Sequence, residues 1–93
     1  MKSATARHLL VDSEELCLDL KNRIANGEKF EDLAKEYSSC PSGHNGGDLG
    51  HFYQGQMVPE FDKVVFNEAI NVVHGPVKTA FGYHLLETTS RRD

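Results

Sequence analysis

Between Ser38 and Gly50 the chain carries Pro41, Gly43, Gly46, Gly47 and Gly50. Regular structure does not survive that much backbone freedom, so the stretch is predicted to be a loop until about Asp48. Patterned sequence resumes on both sides of it, and 93 residues leave no room for a hinge between two domains. The glycine-rich segment is therefore expected to be a loop with a task inside a single domain, residues 1–93.

On its N-terminal side, Ala6 to Val11 reads as a short strand containing His8. Asp12 or Ser13 can cap the helix that follows, and Glu15 stands three residues after Asp12, in capping-box spacing. Leu16, Cys17, Leu20 and Ile24 recur at helical spacing until Asn26-Gly27 ends the run, and Cys17 on that stripe is expected to be buried. A second helix is predicted from Phe30 to about Tyr37, with Phe30, Leu33, Ala34 and Tyr37 on one face. Beyond the loop, Leu49 to Tyr53 reads as a strand and Gln54-Gly55 as a turn. Pro59 opens a short third helix bearing Phe61, Val64, Val65 and Phe66. Gly75-Pro76-Val77 marks a tight turn into a brief strand, and the last strand lies within Phe81 to Thr89, before the polar end Arg91-Arg92-Asp93. The fold class is α+β with an antiparallel or mixed sheet.

Ten Lys and Arg against fourteen Asp and Glu give a net charge of −4, which offers no electrostatic attraction to nucleic acid or anionic lipid. Neither partner is expected. With 39% hydrophobic and 26% charged residues the chain can bury one modest core. Cys17 and Cys40 are too few for a disulfide framework, and there is no apolar run of signal-peptide or membrane-spanning length. With Met1 as the natural start, residence in the cytoplasm is the expectation, and a monomer is expected.

Five histidines invite a metal reading, and Cys40, His44 and His51 could be drawn as a ligand set. Structural zinc sites pair their ligands closely, and neither cysteine has a close cysteine partner, so no metal and no cofactor is expected. His44 and His51 read as solvated loop residues and His74 as a turn residue. Cys40 as a nucleophile would need a base within hydrogen-bond reach, which sequence cannot supply; a packed loop thiol is the simpler reading. His8 and His84 lie among apolar neighbours in predicted strands, where each imidazole must find a hydrogen-bond partner; they can satisfy each other. By spacing alone Met57, Phe61 and Phe81 read as core.

Several ordered segments change those readings together: Ala6 to Val11, Phe30 to Ser38, Cys40-Pro41-Ser42-Gly43, Gly46 to Gly50, Gln54 to Phe61, Gly75-Pro76-Val77, Thr79, and Phe81-Gly82-Tyr83-His84. In these segments, spread over nearly the whole chain, it resembles the parvulin-type peptidyl-prolyl cis/trans isomerases, the small single-domain bacterial members in particular. The resemblance implies a parvulin/FKBP-like four-stranded antiparallel sheet surrounded by helices, with the first strand beside the last. It implies a substrate-binding hollow in which Met57, Phe61 and Phe81 receive the prolyl ring and Leu49 adds apolar wall. His8, Cys40, Thr79 and His84 would line the polar, catalytic side. The expected substrates are proline-containing unfolded or extended polypeptides. Parvulins that prefer phosphorylated substrates carry basic residues after the first strand, whereas Asp12, Glu14 and Glu15 stand here, so no phosphate preference is expected. Two other classes stand beside this one: an inactive domain that only holds proline-containing segments, and a thiol hydrolase working through Cys40.

Overall fold

The computed structural model describes residues 2–92; Met1 and Asp93, invoked above as natural start and polar end, lie outside the described residues. In chain order the elements are β1 (Ser3–Val11), α1 (Glu14–Ala25), α2 (Phe30–Tyr37), β2 (Asp48–Tyr53), α3 (Pro59–Asn67), β3 (Val73–Thr79) and β4 (Gly82–Arg92). The strands form one four-stranded sheet in the order β2-β1-β4-β3. Every pairing is antiparallel, and the first strand lies against the last.

Alternation along the two central strands gives the sheet two apolar faces. Leu9, Val11 and Leu85 point to one side, where they pack with Cys17 and Leu20 of α1 and Phe30, Leu33 and Ala34 of α2. Ala4, Ala6 and Leu86 point to the other, against Phe61, Val65 and Phe66 of α3. Cys17 is fully buried, and burial pushes its thiol up to about 11, so it stays protonated inside the core.

α2 and α3 follow the periodicity of their apolar residues, and α1 ends at Asn26 as its sequence predicts. Between the two candidate caps of α1, it is Ser13 whose hydroxyl accepts the Leu16 N–H at 3.2 Å. The Asp12–Glu15 capping box is therefore not the one in use.

Three expectations need correction. The glycine-rich loop is not free of regular structure: Pro41–Asn45 winds into a short 3-10 turn. Gly75-Pro76 does not precede β3 but lies within it, where the register with β4 shifts between His74 and Val77. β3 is an edge strand, and an edge tolerates a residue without an N–H. His74 thus sits on a strand and not in a turn, its Nε2 2.9 Å from the Ala69 carbonyl oxygen. Finally, β4 runs on through Arg92 and β1 begins at Ser3, because the ends of these strands pair with each other at Ser3↔Arg92. Polar composition alone had marked Arg91-Arg92 as a tail. Arg91 instead donates from Nη1 to the carbonyls of Val65 and Glu68 and so satisfies the end of α3.

Gly47 anchors the loop to the sheet. It has φ +86°, its carbonyl accepts the His8 N–H at 2.9 Å, and a Cβ built on it would fall on the His8 carbonyl oxygen. Gly55 has a similar φ of +94° but open space around it. Gly47→Ala is therefore expected to cost about 2 kcal/mol or more, backbone strain plus the clash, and Gly55→Ala only about 1 kcal/mol. Urea denaturation of both variants checks this; equal costs would contradict the close packing on His8.

Candidate active site

The pairing of β1 with β4 sets Leu10 opposite His84 and His8 opposite Leu86. His8 and His84 are thereby diagonal neighbours on one face, within side-chain reach of each other. Their Nδ1 atoms are 3.2 Å apart and their rings stack at 5.4 Å with a 22° tilt. Phe61, from the first turn of α3, packs edge-on against both, at 5.4 Å from His8 and 4.6 Å from His84. Both imidazoles are only 4% exposed.

Each remaining ring nitrogen has a hydroxyl partner. Thr79 Oγ1 lies 2.7 Å from His84 Nε2, and Ser42 Oγ lies 3.0 Å from His8 Nε2. The Ser42 hydroxyl donates to Cys40 Sγ at 3.3 Å, and the Phe81 N–H donates to Thr79 Oγ1 at 3.1 Å. One proton order satisfies the whole line: Thr79 donates to His84, His84 through Nδ1 to His8, His8 through Nε2 to Ser42, and Ser42 to Cys40. Both histidines are neutral in that order. Burial, with the His84 ring beside it, pushes His8 down from 6.5 to about 4. Burial also lowers His84, against an opposing pull from the Glu60 carboxylate.

The loop that carries Cys40 and Ser42 is held by backbone bonds to β1. The Ser39 N–H donates to the Leu10 carbonyl at 2.8 Å, and Ser38 Oγ accepts the N–H groups of Leu10 and Cys40. Gly43 lies so close to α2 that a Cβ there would stand 2.8 Å from the Ala34 carbonyl oxygen. The 3-10 turn is thus pinned between β1 and α2.

In front of the imidazoles opens a hollow of about 420 Å³ with an almost entirely apolar lining. Leu49, Met57, Phe61 and Phe81 form its walls, Cys40 sits on its rim, and His8 and His84 form part of its floor. Leu10, Ser39, Pro41 and Val58 complete it. Seven of the eight residues singled out from sequence therefore meet around one opening. Thr79 does not: it is 8% exposed, behind His84, where it holds that ring and the Phe81 amide and forms no part of the wall. The core reading of the apolar three holds for Phe61, which is 4% exposed and belongs to the α3-side core as well as the hollow, but not for Phe81, which is 71% exposed on the turn before β4. Ser42, which connects Cys40 to His8, was not singled out from sequence. Its signal was its place two residues after Cys40 in the Cys40-Pro41-Ser42-Gly43 run.

Cys40 has no base within reach, since its only side-chain partner among the described residues is the Ser42 hydroxyl. His44 and His51 are both exposed, the latter on β2. No group of three or more His, Cys, Asp or Glu suited to a metal ion occurs among the described residues, and no helix among them is long and apolar enough to cross a membrane.

Sheet, helices and hollow together have the arrangement of the parvulin class. A family model described as the PPIC-type PPIase domain matches residues 2–92, and the chain belongs to that family. It is 45% identical over 89 residues to the foldase protein PrsA of Halalkalibacterium halodurans, covering 95% of this chain and 27% of that protein. Among solved structures it resembles PrsA from Bacillus anthracis, with a TM-score of 0.94 and 35% identity over 99% of this chain and 43% of the other. It also resembles NmPin, the parvulin of Nitrosopumilus maritimus, with a TM-score of 0.86 and 33% identity over 97% of this chain and 98% of the other. The chain spans less than a third of the PrsA sequence it matches.

The histidine pair fixes a pH dependence. Unfolded, His8 takes up a proton near pH 6.5; folded, it does so only near 4, so between those values the unfolded state binds more protons. The His8 contribution is then expected to be flat above pH 7 and to lower stability as pH drops from 6.5 toward 4, by roughly 3 kcal/mol at full protonation. Thermal unfolding across this range, alongside imidazole NMR shifts, checks it; a His8 ring that titrates near 6.5 in the folded protein would contradict it.

Proposed function

We propose that the protein accelerates rotation about X-Pro bonds in extended, unphosphorylated polypeptides by non-covalent stabilisation of the twisted amide, and so assists folding. The observation that carries this reading is the apolar hollow backed by two imidazoles held neutral. Amide rotation faces a barrier of about 18–20 kcal/mol because conjugation must be broken, and no bond is made or cut. In the twisted state the carbonyl oxygen loses part of its negative charge, so surroundings poor in water and charge favour it over the more dipolar planar forms. An imidazolium beside the carbonyl would do the reverse and hold the planar amide; the low pKa of both histidines keeps that charge away. Each tenfold in rate requires about 1.4 kcal/mol of such preference.

In this mechanism Met57, Phe61 and Phe81 grip the prolyl ring and Leu49 excludes water beside it. His8 and His84 keep the floor in register through Thr79 and Ser42, and Cys40 faces the turning carbonyl. Cys40 serves as a polar rim group and forms no adduct, a reading supported by the lack of a base at its sulfur. The acidic turn after β1, where Asp12, Glu14 and Glu15 are all exposed, supports the absence of a phosphate preference. Among the described residues no lysine or arginine lines the hollow. A cytoplasmic location and a monomeric state accompany this reading as proposals; two unpaired thiols support a reducing compartment.

Exchange NMR on an X-Pro peptide tests it, because the three gripping residues differ in burial. Phe81→Ala is expected to lower kcat/KM at least tenfold with Tm little changed, since the ring is largely exposed. Phe61→Ala is expected to cost activity and also about 3–5 kcal/mol of stability. Cys40→Asp keeps activity, and phosphorylating the residue before proline gives no gain. A folded but inert Cys40→Asp, or full activity in Phe81→Ala, would overturn the mechanism; binding without any rate enhancement would select the holding domain instead.

A further inference from the structure

A second hollow, of about 480 Å³, lies between α3 and β3 and is lined by Glu60, Lys63, Val64, His74, Pro76 and Val77 among others. It adjoins the isomerase hollow through the first turn of α3: Val58 and Phe61 face the one, and Glu60 faces the other. Leu10 and Cys40 line the isomerase hollow from β1 and from the loop bonded to it, whereas the second hollow lies toward the β3 edge of the sheet. A peptide whose pre-proline carbonyl faced Cys40 and whose chain ran on past Phe61 would reach α3. Its next residues would then meet the exposed Glu60 carboxylate.

We propose that the hollow between α3 and β3 receives the residues that follow the proline, and that Glu60 at the divide favours a lysine or arginine immediately after it. The inference rests on the isomerase reading above and adds a substrate preference to it. Charge complementarity supplies the selection: lysine next to Glu60 is attracted and glutamate repelled, each modestly at a solvated surface. The apolar side chains of Val64, Pro76 and Val77 then give the following residue a partly dry seat.

The test compares Ala-Ala-Pro-Lys-Ala with Ala-Ala-Pro-Glu-Ala by exchange NMR at low salt. The lysine peptide is expected to have a kcat/KM about fivefold higher. That ratio should fall toward one in Glu60→Gln and invert in Glu60→Lys, while Asp19→Asn, on exposed α1 surface across the sheet, keeps the parent ratio. In the same titration the amide shifts of Lys63, His74 and Val77 should move with the lysine peptide. Equal turnover of the two peptides, an unchanged ratio in Glu60→Gln, or shifts confined to the first hollow would each overturn the inference. Turnover of both peptides without discrimination sinks the inference alone; no turnover of either by the folded protein sinks the isomerase reading with it.

Discussion

The antiparallel pairing of β1 with β4 is the constraint on which the site depends. It joins residues from opposite ends of the chain and sets His8 diagonal to His84, so that two imidazoles share one dry face of the sheet. A slip of one residue in either strand would turn one ring toward the α1 and α2 side, because side chains alternate with a period of two. Register is held by the burial of Leu9 and Leu85 on one face and Leu86 on the other.

Burying two polar rings would be costly without partners, and here every ring nitrogen has one. The line from Thr79 to Cys40 draws its members from β3, β4, β1 and the 3-10 turn. Loss of one member would leave a buried group unpaired. The same enclosure that keeps the histidines neutral is what the proposed stabilisation of a twisted amide requires, so the structural demand and the proposed catalytic one coincide on these residues. Phe61 belongs to both, as a core residue that shields the rings and as a wall of the hollow.

Much of this was legible in the sequence, for identifiable reasons. α2 and α3 bury apolar stripes at helical spacing, and that pattern is local. The meeting of His8 with His84 followed from the resemblance and from the need of each ring for a partner. What failed was context. Gly75-Pro76 reads locally as a turn, and only the edge position of β3 lets it lie in a strand. The 3-10 turn at Pro41–Asn45 is too short to produce a periodic signal, which also concealed Ser42. Thr79 and Phe81 exchange the roles their types suggest: the hydroxyl is buried behind His84, and the aromatic ring stands in solvent at the mouth. Depth within a site is set by tertiary packing, which no single segment encodes.

The central claim is that the hollow prefers an unconjugated amide to a planar one. The most direct measurement is calorimetric: the Kd of a short X-Pro peptide against that of an isosteric peptide whose bond before proline is held orthogonal and cannot conjugate. The account predicts at least tenfold tighter binding of the twisted analogue, with the advantage reduced in Phe81→Ala. Equal or weaker binding of that analogue would contradict it.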